Sequence, residues 1–477
     1  MKGPHLRAPA AMARVLVPSL LLLILASLAS AGAAAQEQVP RTAADPQPAW
    51  SPTHPGSANI QMISNLRLGP RLSVSDIRIE QDLNRPFAYV SRFQYGERGP
   101  RGLDIIDLSD EHRPEVIYRW RIENQELHVG TGGHDPNYFK LDDRYYVVQS
   151  TQFGAGGPNT DLGAVVLDVT GLPDTTGIEE VARIREPDYP GGFHNAFTYK
   201  HSDGGVYLFT TVQGPHSNVY DLRRVVEGDV DGALVARIPV PDNPLTGTEV
   251  ERLRGYHDIM VQWHPDTGTD RFYGGGTGGY YIFDVTDLQN PELMVTLTNI
   301  RGINYGHSFT PDPEGRYMVG EVEYQTAPLR IFDIQPALDG EVSNISRPIS
   351  FWTAHWENLV HNQEVRWPYV FVSGYLDGLQ VFSLKDPHNP RTVAYYDTYA
   401  GPPNEPPLTA VFNGAFGVDI RNADGLIVVS DMTTGFWAFR MEGFPGWDGR
   451  DWGMPNVSRA QDYWDAGEMP SPERWRE

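Results

Sequence analysis

The chain has 477 residues, with 48 glycines, 39 prolines, 11% aromatic residues and no cysteine. The missing cysteines exclude disulfide stapling and a lipid-modified cysteine, and a chain this long can bury a sufficient core without staples. The formal charge of −23 repels nucleic acid and anionic membrane surfaces, so no nucleic-acid partner is expected.

Residues 1–35 read as a cleavable signal peptide. Lys2, Arg7 and Arg14 form a basic leader, Val15 to Ala31 is apolar, and small residues follow with cleavage sites after Ala31 or Ala35. An uncleaved anchor is the alternative, but the run is short and ends in a cleavage-like segment. No later segment is apolar enough over a bilayer's width, so no membrane span is expected. The predicted location is therefore secreted or periplasmic. Removing the leader leaves 35 basic and 61 acidic residues, a mature charge of −26. Residues 36–57, rich in Pro, Ala and Gln, read as a flexible linker.

From residue 58 to 443 one pattern recurs. An apolar strand ends in Asp and is followed by a turn of Ser, Thr, Asp, Asn and Pro. The plainest copies are Gly102 to Asp110 and Gly279 to Asp287, with looser ones at Gly163 to Thr170, Leu329 to Ile334, Gly378 to Pro387 and Gly435 to Arg440. A weaker copy, Asn218 to Leu222, fills the third place. Each copy has an apolar strand upstream, such as Phe87 to Val90 or Tyr369 to Val372, and most have another downstream, such as Pro114 to Tyr118. Seven units of about four short antiparallel strands imply an all-β chain. Such sheets leave exposed edges and faces alone, and radial packing into a seven-bladed β-propeller covers them. A solenoid of the same strands is the alternative. The seventh unit lacks an outer strand, while Ile60 to Leu66 precedes the first unit as an orphan, so the N-terminal strand is expected to complete the last blade.

The Gly-Leu-x-Ile-x-Asp-Leu-Ser-Asp type of segment resembles the LVIVD repeat, over residues 60–443. The resemblance implies an exported β-propeller. It implies no single activity, because one fold hosts many functions.

The starts of the innermost strands align as Ser75-Asp76, His134-Asp135, His194-Asn195, His257-Asp258, His307-Ser308, His361-Asn362 and Phe416-Gly417. Five of the seven carry His, 50 to 63 residues apart, from only 14 His in the chain. Equivalent positions of a propeller surround its central channel, so these imidazoles should converge. Converging imidazoles suit a transition metal, with Cu or Fe favoured and Zn possible, over hard cations. The expected metal ligands are therefore His134, His194, His257, His307 and His361. The structural alternative is a ring of histidines copied by duplication that ties blades together. Asp135 and Asp258 directly follow ligand candidates, and strand alternation would turn them away from the rings toward backbone at the channel mouth. Glu323 and Glu364 are further carboxylate candidates, and Tyr256 and Tyr305 flank the ring as candidate entrance residues.

Other features are weaker. His355 is expected on a loop over the channel and His264 at the surface. The run Gly274 to Gly279 looks like a phosphate loop but has no helix after it, and reads as a blade turn or bulge. Asp229 to Gly232 lacks the remaining calcium-loop positions, and no Gly-x-Ser-x-Gly elbow supports a serine hydrolase. Residues 444–477 form a tail carrying Trp447, Trp452, Trp464 and Trp475.

The leading reading is an exported metal-binding propeller with a histidine-lined channel, a copper- or iron-dependent oxidoreductase acting on a small-molecule substrate. Zinc-assisted hydrolysis is a weaker variant, as no general base stands out. The competing reading is a non-catalytic interaction or scaffold propeller at the cell surface. Nothing in the sequence identifies a protein partner, an oligomeric state or the catalytic residues.

Overall fold

The apolar runs pair into seven antiparallel four-stranded sheets in a computed structural model that describes residues 55–95, 99–186, 188–242, 255–264, 266–355, 359–399 and 412–447. The proposed signal peptide, the linker before residue 55 and the tail beyond residue 447 lie outside the described residues. In six sheets the strands follow chain order from hub to rim. The innermost strands are Val74–Ile79, Gly132–Leu141, Ala196–Lys200, Tyr256–His264, Phe309–Pro311, Gln363–Arg366 and Ala415–Arg421, which start blades one to seven. Each innermost strand contacts the next, and the seventh contacts the first. The chain is a closed seven-bladed β-propeller.

The burial gradient follows from that packing. The second strand of blade one, Phe87–Arg92, is buried at every position, because both of its faces lie against neighbouring blades. Its outer strand, Glu115–Arg121, is mostly half-exposed. Aromatic rings fill the wedges between blades, as where Tyr280 of blade four stacks on Phe309 of blade five with centroids 4.6 Å apart.

The repeated Asp has a local role. Its Oδ1 accepts a hydrogen bond from the main-chain N–H two residues on, at Asp107, Asp168, Asp221, Asp284 and Asp333, at 2.7–3.1 Å. This Asx turn ends the third strand and redirects the chain toward the rim.

Ring closure uses the N-terminal strand. Ile60–Leu66 pairs antiparallel with Gly435–Met441, placing Ile60 opposite Met441 and Leu66 opposite Phe436. Asn65 Nδ2 adds hydrogen bonds to the carbonyls of Phe436 at 2.9 Å and Thr434 at 3.2 Å. The same strand supplies the seventh blade's missing fourth strand and covers its edge. Just before it, Gly56 and Ser57 bridge to the outer strand of blade six at Tyr395 and Tyr396. At the other end Phe444 packs on Phe371, and the guanidinium of Arg366 lies 5.7 Å from the Trp447 ring. Among the described residues no helix is long and apolar enough to cross a membrane.

Removing residues 1–66 should leave Gly435–Met441 as a bare edge and strip Ile60 from the core. We expect a loss of at least about 2 kcal/mol in thermal or denaturant unfolding, with self-association visible by light scattering. Unchanged stability in a monodisperse sample would contradict closure by this strand.

Candidate metal centre

Each inner strand starts with two residues opposed by one on the second strand. The pairing register skips at Ser75-Asp76, His134-Asp135, His257-Asp258 and Phe416. In blades three, five and six the main-chain bonds show the same arrangement. The N–H of His194, His307 and His361 donates to the carbonyl of Thr211, Glu321 and Ser373, whose N–H in turn donates to Asn195, Ser308 and Asn362. Such a bulge breaks strand alternation and re-aims side chains. Asp258 is therefore not turned away from the ring, as alternation would require. Its Oδ1 lies 2.9 Å from His257 Nδ1.

The single opposing residues are Ser91, Ser150, Thr211, Gly275, Glu321, Ser373 and Ser430. Hydroxyls of Ser150, Thr211, Ser373 and Ser430 accept from the second bulge N–H at 2.8–3.2 Å, satisfying a donor that the ladder leaves over. Gly275 has a different reason. A Cβ there would lie 1.9 Å from the His307 carbonyl oxygen, so only glycine lets blade five approach. The run that looks like a phosphate loop thus seats a histidine.

The five histidines do converge. Ring centroids are 4.6 Å apart for His134 and His194, 4.4 Å for His194 and His257, 4.0 Å for His257 and His307, and 5.1 Å for His307 and His361. Phe416 follows at 3.9 Å from His361, then Phe93 at 5.5 Å, which returns to His134 at 5.9 Å. Blade one contributes Phe93 because its aligned residue, Ser75, is small and instead donates to the Gly133 carbonyl at 2.8 Å.

The ring is not uniform. His257, His307 and Glu323 each offer one ligand atom within 4.8 Å of one another, and so do His194, His257 and Asp258. His307 Nε2 lies 3.8 Å from Glu323 Oε2, and His361 Nε2 lies 4.0 Å from Oε1 of the same carboxylate. The other nitrogens are oriented from behind. Nδ1 of His361 donates to the Phe416 carbonyl at 2.6 Å, and Nδ1 of His307 lies 2.6 Å from Glu321 Oε2. A carbonyl only accepts, so His361 carries its proton on Nδ1 and presents a lone pair at Nε2. Tyr375 donates its hydroxyl to Glu323. Among the described residues His134 belongs to neither group. Its Nε2 lies 2.7 Å from Thr131 Oγ1.

Charge concentrates on the same side. Burial alone would keep the His307 ring neutral, yet the carboxylates of Glu321, Asp258 and Glu323 hold its pKa at about 10. Burial pushes Glu321 up to about 7 against the opposing pull of His307. Burial, then the neighbouring His307 charge, lowers His361 to about 3. Positive charge at this corner, as a proton on His307 or as a metal ion, is favoured by the carboxylates around it.

Glu321 was not singled out from the sequence, although a signal existed. The aligned second-strand position holds Ser, Thr or Gly in six blades and an ionisable residue only here.

Deeper in the channel the second bulge residues bond between blades. Asp135 Oδ2 accepts from Asn195 Nδ2 at 2.9 Å and from the Ala196 N–H at 3.1 Å, and Asp76 Oδ2 accepts from Asn362 Nδ2 at 2.8 Å. Glu364 lies below them and not at the ring. It accepts from Arg78 at 2.6 Å and from Arg366 at 2.9 Å, because two further residues along the inner strand carry it past the histidine layer. Arg366 also lies 3.5 Å from Asp419.

Of the flanking tyrosines, Tyr305 meets His257 edge-on at 5.7 Å, whereas Tyr256 is fully buried and donates to the Pro239 carbonyl. His264 is buried, not at the surface. Its Nε2 lies 2.6 Å from the Tyr273 hydroxyl because the inner strand of blade four runs on to this residue. His355 is exposed, with its N–H on Asp377.

No protein-family model matches the chain, and no curated protein matches it. Among solved structures it is similar to Raptor from Chaetomium thermophilum, at a TM-score of 0.51 and 11% identity. That match covers 80% of this chain and 29% of Raptor, and at this identity it speaks to the fold alone.

Replacing Arg78 by Met should leave Glu364 and Asp419 under-compensated in a buried site. We expect a loss of about 3 kcal/mol in denaturant unfolding, partly recovered when Glu364→Gln is added. An unchanged midpoint would show that this ion network does not hold the channel together.

Proposed function

We propose that this propeller binds a transition-metal ion off-centre in its hub, through Nε2 of His257 and His307 and a carboxylate oxygen of Glu323. His361 stands as a further nitrogen beside Glu323, and His194 and Asp258 extend the donor set on the other side of His257. The observation that carries this reading is the orientation of the rings. His257, His307 and His361 each have Nδ1 engaged from behind, by Asp258, Glu321 and the Phe416 carbonyl, as histidine ligands of metals commonly do. Imidazole and carboxylate donors without sulfur suit Fe, Cu or Zn. Both His307 ring nitrogens are buried and lack a hydrogen bond among the described residues, with Nδ1 in ionic contact with Glu321 and Nε2 3.8 Å from Glu323, which leaves Nε2 as the one that faces the candidate ion.

The reading extends to an exported LVIVD-repeat protein acting as a copper- or iron-dependent oxidoreductase on a small molecule. Its support is the leader-like N-terminus, the repeat and the donor set. A bound copper or iron ion would supply redox chemistry and open coordination positions. The protein's own share is to orient the rings through Asp258 and Glu321, and to hold negative charge beside the ion. Tyr375 fixes the Glu323 carboxylate, and Glu323 is the more accessible partner, its side chain 22% exposed against 2% for His307.

Elemental analysis of mature protein purified without a histidine tag tests this. We expect about one equivalent of Cu, Fe or Zn, lost in His257→Ala with His307→Ala and retained in His134→Ala. Glu321→Gln should weaken metal affinity by about 10- to 100-fold. A protein that takes up none of these metals would overturn the reading.

A further inference from the structure

Two donor groups meet at one imidazole. His257, His307 and Glu323 make the candidate site for the first ion. His194, His257 and Asp258 make another, and in each group one ligand atom per residue lies within 4.8 Å of the rest. His257 is the residue they share. An imidazole carries two distinct nitrogens on one rigid ring, so a single side chain can serve a donor group at each.

The side chains of the second group are held for ligation as those of the first are. His194 Nδ1 lies 3.3 Å from Gln152 Oε1, which also accepts from Thr131 Oγ1 at 3.4 Å. An amide oxygen only accepts, so His194 carries its proton on Nδ1, and Nε2 is the nitrogen that can bind an ion. The His194 and His257 rings meet at 79° with centroids 4.4 Å apart. His257 Nδ1 lies 2.9 Å from Asp258 Oδ1, and Asp258 Oδ2 lies 3.9 Å from His307 Nδ1. Metal–nitrogen and metal–oxygen bonds are about 2.0–2.2 Å long, so two such donors at a right angle on one ion stand about 3 Å apart. Right angles between nitrogen and oxygen donors are the tetragonal preference of Cu(II). Nδ1 and Oδ1 already have that spacing, because the bulge at His257-Asp258 brings both side chains to the hub.

We propose that the hub holds a second ion, Cu(II), on Nε2 of His194, Nδ1 of His257 and a carboxylate oxygen of Asp258, with the His257 ring as an imidazolate bridge to the first ion. The bridge rests on the reading of the first site, whereas the second donor group stands on its own geometry. Binding breaks the N–H bond at His257 Nδ1. The proton goes to solvent, the electron pair left on nitrogen forms the bond to copper, and nothing is oxidised or reduced. The first ion takes no proton from His257, so it binds more tightly and is the one carried by the protein as isolated. The second site fills when copper is supplied.

The test is a titration of the chelator-stripped mature protein, purified without a histidine tag, with copper(II) sulfate, followed by calorimetry and electron spin resonance. We expect two equivalents to bind. The first gives the spin-resonance signal of isolated Cu(II). The second quenches that signal, because an imidazolate couples the two spins, and it releases one proton more than the first, read from heats in two buffers of different ionisation enthalpy. His194→Ala should take one equivalent and keep the full signal. Gln152→Met should weaken the second equivalent about tenfold and leave the first unchanged, which keeps the test decisive if His194→Ala folds poorly by circular dichroism. His134→Ala should take two equivalents like the native chain. One equivalent in both the native chain and His194→Ala would overturn the second site and leave the first reading standing. No uptake at all would overturn both. Two equivalents with additive signals and equal proton release would overturn the bridge.

Discussion

The two-against-one bulge at the head of each inner strand is the constraint from which the hub is built. A regular strand would present one residue to the channel and turn its neighbour into the blade. The bulge brings two consecutive residues toward the axis, and so makes two stacked layers from one turn of chain. Its cost is a main-chain donor without a ladder partner. Ser150, Thr211, Ser373 and Ser430 meet that cost with hydroxyls. Ser91 instead donates its hydroxyl to Gln149, and where the opposing residue is Gly275 or Glu321 the change of residue type falls beside His307. The local backbone rule and the chemistry of the site thus vary together.

The hub's charge follows the same layering. In the upper layer, imidazoles and two phenyl rings surround a corner where carboxylates gather around His307. In the lower layer, Asp76 and Asp135 are held by asparagine amides from other blades. Below that, Arg78 and Arg366 tie down Glu364 and Asp419. Positive charge is thus spent deep in the channel, and the upper corner is left to attract a cation of its own. Burial of these groups is tolerable because each pairs across blade boundaries, and the pairs also set the rotational register of one blade against the next.

Much of this was legible in the sequence, for reasons that can be stated. Strand and turn repeated together, so blade number, ring closure and the alignment of five histidines could be read from spacing alone. Period-two alternation gave the wrong direction for Asp258, because a bulge leaves no mark in composition and its signal lies on the partner strand. Glu364 does lie on an inner strand near the hub, but its partners are Arg78 and Arg366 and not the histidines, since depth along the channel depends on how many residues the bulge consumes. His264 looked like a surface residue from its Pro-Asp neighbours, yet the strand continues beneath them. Of the two phenyl rings in the hub, Phe416 stood in the aligned column, but Phe93 was missed because it lies at the end of a second strand, outside that column. It reaches the ring only because Ser75 is short.

Closure by Ile60–Leu66 has a kinetic side. Its partner Gly435–Met441 is the last strand of the described fold, so the contact that seals the ring joins the two ends of the body. Contacts between residues so distant in sequence form late, after the many local hairpins are in place. Until then the nascent seventh blade carries an unpaired edge that can recruit any complementary strand. A chain still emerging from its ribosome already holds the closing strand but must wait for the slot it fills. Synthesis order thus makes the seal the final checkpoint of assembly, and gives aggregation its widest opening just before it.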